Sequence, residues 1–186
     1  MVVASGVLTT KFGYYTPFIY GSVVLMSIGA GLLTTLTPDS GAAKWIGYQL
    51  LFGFGTGLGF QQPVIAAQTV LKLDDIPIGT ATLLFIQLLG GALFVSVGSN
   101  IFTNKLISNL AVAVPNLSPE VIVSAGATSL KKVVPTQDLP AVLLAYNAAL
   151  TKTFQIALVL GCLSGLGAAF IEWRSVKGKK IEMGAA

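Results

Sequence analysis

The 186-residue chain has no histidine and one cysteine, Cys162. The lack of histidine removes the commonest metal ligand and the side chain most used for acid-base work near neutral pH. A lone cysteine excludes a disulfide within the chain and any cysteine-rich metal site. Charge is scarce too: Asp, Glu, Lys and Arg make up 10% of the residues, against about 25% in soluble domains. The net charge of +4 therefore reflects few acids, and no stripe of Lys and Arg interleaved with aromatics points to nucleic acid. No G-x-G-x-x-G aligns anywhere near the glycine-rich stretch and no Lys follows it, which excludes a phosphate-cradling loop. The apolar start lacks the basic residues of a secretory signal. No constellation of nucleophile, base or metal ligands survives a pass along the chain, so we expect no enzyme, no cofactor and no metal site.

What is present is apolar. Hydrophobic residues make up 54% of the chain and the mean hydropathy is +0.81, the profile of an all-α membrane protein. A span needs about 20 apolar residues. Residues 1–10 are too short and read as one truncated helix. Four full transmembrane helices are expected at 17–36, 45–71, 78–102 and 154–173. Residues 103–145 hold Pro115, Pro119, Pro135 and Pro140 and read as a folded loop outside the bilayer. Within it Ser118, Pro119 and Glu120 form a helix start, and Asp138 with Pro140 can start another that runs into the last span. Asn116-Leu117-Ser118 is a glycosylation sequon, weakened by Pro119 behind it; a chance match is the other account.

The stretch at 51–68, LFGFGTGLGFQQPVIAAQ, combines lipid-compatible residues with features that disfavour a helix in water. Gly53 and Gly57, then Gly55 and Gly59, give two stripes where a neighbouring backbone can come close. Pro63 has no N–H for the Gly59 carbonyl, so a bend is expected between residues 59 and 62. Gln61, Gln62 and Gln68, with Gln87 in the next span, are costly at lipid depth unless they pair or meet water. Two accounts stand side by side: they line a polar substrate cavity, or they hydrogen-bond adjacent helices. Gly161 and Gly165 place a further small-residue stripe in the last span, which points to packing. Arg174, Lys177, Lys179 and Lys180 follow that span. Their density places residues 174–186 in the cytoplasm and the 103–145 loop outside.

Several segments resemble a known family. GVLTTKFGY at 6–14 looks like a degenerate copy of the short loop motif G-x-x-x-D-R-x-G-R of the major facilitator superfamily, with Thr10 for the acid, Lys11 for the first Arg and Tyr14 for the last. The glycine-glutamine stretch, IPIGTA at 76–81, GGALF at 90–94, YNAAL at 146–150 and EWRSV at 172–176 are similar to the C-terminal region of fungal 14-span drug:proton antiporters, the multidrug and toxin efflux pumps. The resemblance implies a partial major-facilitator bundle whose partners are the lipid bilayer, a hydrophobic small-molecule substrate and the missing N-terminal helices of a parent transporter. It also implies that the glycine-glutamine helix lines a central cavity, that the chain alone does not transport, and that the plasma membrane is its home. All seven acids fall in loops or at span ends, so no proton-coupling group is expected within these residues. A rival from another class is a non-transporting helical membrane protein that binds a partner through its glycine-rich faces.

Overall fold

The computed structural model describes residues 2–176. Among them every regular element is helical: α1 (Val2–Phe12), α2 (Thr16–Leu33), α3 (Ala42–Gly59), α4 (Gln62–Val70), α5 (Ile76–Ala113), α6 (Pro119–Val133) and α7 (Leu139–Ala169), with a single 3-10 turn at Leu73–Asp75. Prolines start these helices: Pro17, Pro63, Pro77, Pro119 and Pro140 each sit in a first turn, where the missing N–H would have no intrahelical acceptor. Among the described residues three helical segments are long and apolar enough to cross a membrane, Thr16–Leu33, Leu73–Ala113 and Leu139–Ala169. The expected helix over 45–71 is divided at Phe60 and Gln61 into α3 and α4, the place where Pro63 withholds its donor.

α2 is the centre of the bundle. It packs on α3 along one side and on α7 along another, and α7 in turn packs on α5, while α1 lies against α3. Glycine sets the α2–α3 distance. A Cβ on Gly55 would stand 2.4 Å from the Met26 backbone nitrogen, and one on Gly29 would stand 2.7 Å from the Phe52 backbone. A Cβ on Gly59 would meet the Ser22 hydroxyl at 2.1 Å. The two backbones therefore touch, which is how helices associate in lipid, where burial of apolar surface supplies little drive. On the α7 side Gly165 faces Val23, and Gly161 faces Ser27 and Met26. The two expected stripes on α3 separate in role. Gly55 and Gly59 meet α2, Gly57 is buried beside Ser5 of α1, and Gly53 has nothing within 4 Å.

The span expected over 78–102 is part of a longer helix. α5 has 38 residues, about 57 Å at ~1.5 Å per residue, nearly twice a hydrocarbon core of about 30 Å. α7, with 31 residues, also outruns the bilayer. The segment expected to be a loop over 103–145 thus consists of the end of α5, all of α6 and the beginning of α7, with irregular backbone at 114–118 and 134–138 and at Gly126, whose φ of 66° and ψ of 170° kink α6. Its polar residues mark where the helices leave the apolar zone, and they do not end the helices. α6 packs across the projecting hairpin and closes a small core of Leu106, Leu110, Ile122, Leu130, Val142 and Ala149. The Phe102 and Tyr146 rings meet edge to face, 5.1 Å between centroids, at its base. Asn109 donates to the Ala145 carbonyl and Asn147 to the Leu36 carbonyl, tying the hairpin together and to the turn after α2. Ser118 occupies the N-cap of α6, but its hydroxyl donates to the Glu120 carboxylate and accepts from no backbone N–H. That bond holds the Glu120 carboxyl below its ordinary range. Asn116 is exposed in the turn before α6.

Gly55→Ala should destabilise the bundle by roughly 1–3 kcal/mol, the usual range for overpacking. Gly53→Ala should leave it unchanged or gain up to about 1 kcal/mol of helix propensity. Thermal unfolding followed by circular dichroism in one detergent, with the two variants compared, checks the ordering.

Candidate functional site

The helix break between α3 and α4 is the most specialised place in the bundle. Three buried polar residues line its α1 side: Ser5, Thr9 and Gln62, each with 0% exposure. Gln62 Nε2 donates to Thr9 Oγ1 at 3.1 Å and to the Leu58 carbonyl at 3.2 Å. Leu58 O is the acceptor that the Gln62 backbone would use in a regular helix, so the carboxamide covers backbone polarity at the discontinuity. Thr9 Oγ1 lies 2.8 Å from the Ser5 carbonyl, and Ser5 Oγ lies 3.4 Å from the Gly57 carbonyl. A polar seam therefore runs from α1 to the break. Lipid offers no donors or acceptors, and each of these groups left unpaired would cost several kcal/mol.

The other side of the break is apolar and open. A cleft of about 360 Å³ lies between α2, α7 and the break, with Ser22, Thr56, Gly59, Phe60, Pro63 and Ser164 in its lining. A second, of about 480 Å³, lies on the opposite flank of α4, bounded by Pro63, Ala67, Val70, Leu83, Ile171 and Glu172. Pro63 lines both. The amides distribute unevenly around them. Gln62 and Gln68 are buried, Gln61 sits half-buried in the break itself, and Gln87 is half-buried along α5. None of the four lines either cleft. Ser5, Thr9, Ser22, Thr56 and Ser164 were missed from sequence because a hydroxyl in a helix can bond its own backbone. The four-residue spacing of Ser5 and Thr9 on one face was the available signal.

At one end of the bundle the α1–α2 turn clasps the segment after α7. Gly13 takes φ of 84°, and its carbonyl accepts from the Val176 N–H at 3.0 Å. Tyr14 and Ser175 form an antiparallel bridge. Tyr15, 1% exposed, donates its hydroxyl to the Glu172 carbonyl, and Arg174 pairs with Glu172 at 2.8 Å. Burial, followed by the nearby Glu172 charge, raises the Tyr15 phenol above 10.0. Its neutral form is thus favoured in the folded state, and that contribution is lost as pH rises beyond the ordinary tyrosine value. The basic residues Lys177, Lys179 and Lys180 lie outside the described residues. Among the described acids, Asp39, Asp74, Asp75, Glu120, Asp138 and Glu172 all lie in turns or at helix ends.

An all-helical bundle with backbone-to-backbone glycine contacts, a proline break and a dry polar seam defines a multi-pass integral membrane protein. Comparison with known proteins places it more closely. The chain is 54% identical over 184 residues to an MFS-type efflux pump of Trichophyton rubrum, covering 99% of the chain and 34% of that protein. An MFS-type efflux pump of Arthroderma benhamiae matches equally. An efflux pump of Hypomyces subiculosus is 53% identical over 183 residues, 97% of the chain and 32% of the relative. The chain belongs to the major facilitator superfamily, and the relatives it matches are named efflux pumps. It spans about a third of the length of these relatives. No family model and no solved structure matches it.

Thr9→Val and Gln62→Leu should each destabilise the bundle, and together they should cost less than the sum. The coupling expected for a hydrogen bond in a membrane protein is about 0.6–1.7 kcal/mol. A double-mutant cycle on unfolding in mixed micelles measures it, and strict additivity would remove the seam's bond from the account.

Proposed function

We propose that this sequence works as part of a secondary active efflux pump that moves hydrophobic small molecules, drugs or toxins, across the plasma membrane by alternating access. The observation that carries the proposal is the similarity to named efflux pumps along 99% of the chain. The proline break supports it, since two helices joined at a discontinuity can reorient where one continuous helix cannot. Gln61 and Gln87, partly exposed, are the amides proposed to meet the cargo, with Gln62 and Gln68 holding α4 in place behind them. Gly59 and Pro63 permit the bend. Proton coupling needs an ionisable group in the membrane pathway, and we assign that group to the remainder of a pump of the relatives' length. In this topology the α6 cap and Asn116, its glycosylation candidate, face outward, and residues 174–186 face the cytoplasm. The chain by itself does not transport.

A chimera in which this chain replaces the matching third of the Trichophyton rubrum pump should restore dye export to a yeast strain stripped of its own pumps. The chain alone, in proteoliposomes under an imposed proton gradient, should move no more dye than empty vesicles. A chimera that reaches the membrane at parental abundance without exporting would overturn the first statement, and dye movement by the chain alone would overturn the second. Within the chimera, Gln61→Leu should change the relative export of different dyes while leaving abundance unchanged. Equal losses of abundance and of every dye's export would assign Gln61 to packing.

A further inference from the structure

The projecting hairpin of α5 and α7 has two grooves, and α6 fills one of them with Ile122 and Leu130. The other is an open cleft of about 480 Å³, lined by small residues that include Ala141 and the buried Ala145, by Ser108 and Asn109, and by the larger Val112 and Leu144. Val112 is 85% exposed and Leu144 62%, and no charged residue lines the cleft. Exposed Lys105 and Lys152 mark where these two helices meet water. Val112 lies seven residues beyond the first and Leu144 eight before the second, about 10–12 Å farther out along the helix axes. Acyl chains do not reach that height, so lipid does not cover this apolar surface.

We propose that this groove seats an apolar helix contributed by the rest of an efflux pump of the relatives' length, which rests on the proposal that the chain works within such a pump. The relatives are about three times as long as the stretch matched, since that stretch is 34% of the first of them. Most of such a pump's polypeptide is therefore available to cover the groove. The lining selects a helix: small residues beside Val112 and Leu144 leave a groove for the ridge of bulky side chains on a helix. The partner face it fits is uncharged, with large aliphatic or aromatic residues three and four apart.

Val112→Cys, in a Cys162→Ser background, reports whether the groove is covered when it is reacted with a membrane-impermeant maleimide. The variant is made in the chain alone and in the Trichophyton rubrum chimera, with the remaining pump made cysteine-free. Labelling should be about tenfold slower in the chimera, the factor that ~1.4 kcal/mol of closure gives. Ser124→Cys on the exposed side of α6 should label alike in both. Equal Val112→Cys rates in the two settings overturn the inference. Protection in the chain alone that vanishes on dilution assigns the groove to a second copy and overturns it too. Labelling is read on the monodisperse chimera whether or not it exports. Protection without export sinks the transport proposal and leaves the groove standing, and export without protection does the reverse. If the fused chimera does not fold, the remainder of the pump expressed as a separate polypeptide gives the same comparison.

Discussion

The bundle depends on the approach of two backbones, α2 against α3. In a bilayer the usual reason for helices to associate is missing, because lipid tails solvate apolar side chains as well as a neighbouring helix does. What remains is dispersion, strongest where atoms touch and lost quickly as a gap opens. Gly29 and Gly55 let main chain meet main chain, and the rest of the arrangement follows from where that contact puts α2. Its opposite side receives Gly161 and Gly165 of α7. Its start carries Tyr15 into contact with the segment after α7, and the turn beyond its end offers the Leu36 carbonyl to Asn147. One close contact thus positions both ends of the bundle.

The second constraint is electrical. A helix interrupted inside lipid exposes carbonyls that no water can reach, so an interruption survives only where side chains supply donors. Gln62 does this for Leu58 while also bonding Thr9, and Thr9 is in turn bound to the α1 backbone. The break is therefore held from one side, by α1, while its other side is apolar and faces space. The anchoring is thus one-sided, with the seam to α1 on one flank and an open cleft on the other. This asymmetry comes from side-chain chemistry at residues 5, 9 and 62, and it would be absent from a bend made by Pro63 alone.

The class of fold was legible because composition and solvent leave few choices: a charge-poor chain rich in apolar runs has to be helical in lipid. The bend was legible for the same reason, since Pro63 cannot donate. Two things were not. Hydropathy marks where a segment leaves the bilayer and says nothing about where the helix ends, so Thr103, Asn104 and Lys105 suggested a loop although α5 continues to Ala113. The orientation of the amides was also hidden. Gln61 and Gln68, seven residues apart, would share a face of an unbroken helix, but the helix is interrupted at Phe60 and Gln61. Gln61 falls in the turn and Gln68 on the buried side of α4. Which of the hydroxyls would meet a partner on another helix depends on packing that no local pattern encodes.

Depth decides what an exposed apolar side chain means here. Leu88 is 75% exposed and Val95 73%, yet both lie in the apolar part of α5 that the proposed topology sets in the bilayer, where acyl chains are a good solvent for them and no protein partner is required. Val112, on the same helix and more exposed, lies past Lys105 and in the proposed topology meets water, where the same carbon surface is costly to leave open. The long continuous helices make this contrast possible: by carrying α5 and α7 out of the lipid without a break, the chain builds an aqueous cap on the same two rods that cross the membrane. α7 packs on α2 and α5 returns to α4 where Gly79 meets Leu71, so both rods are joined to helices beside the break.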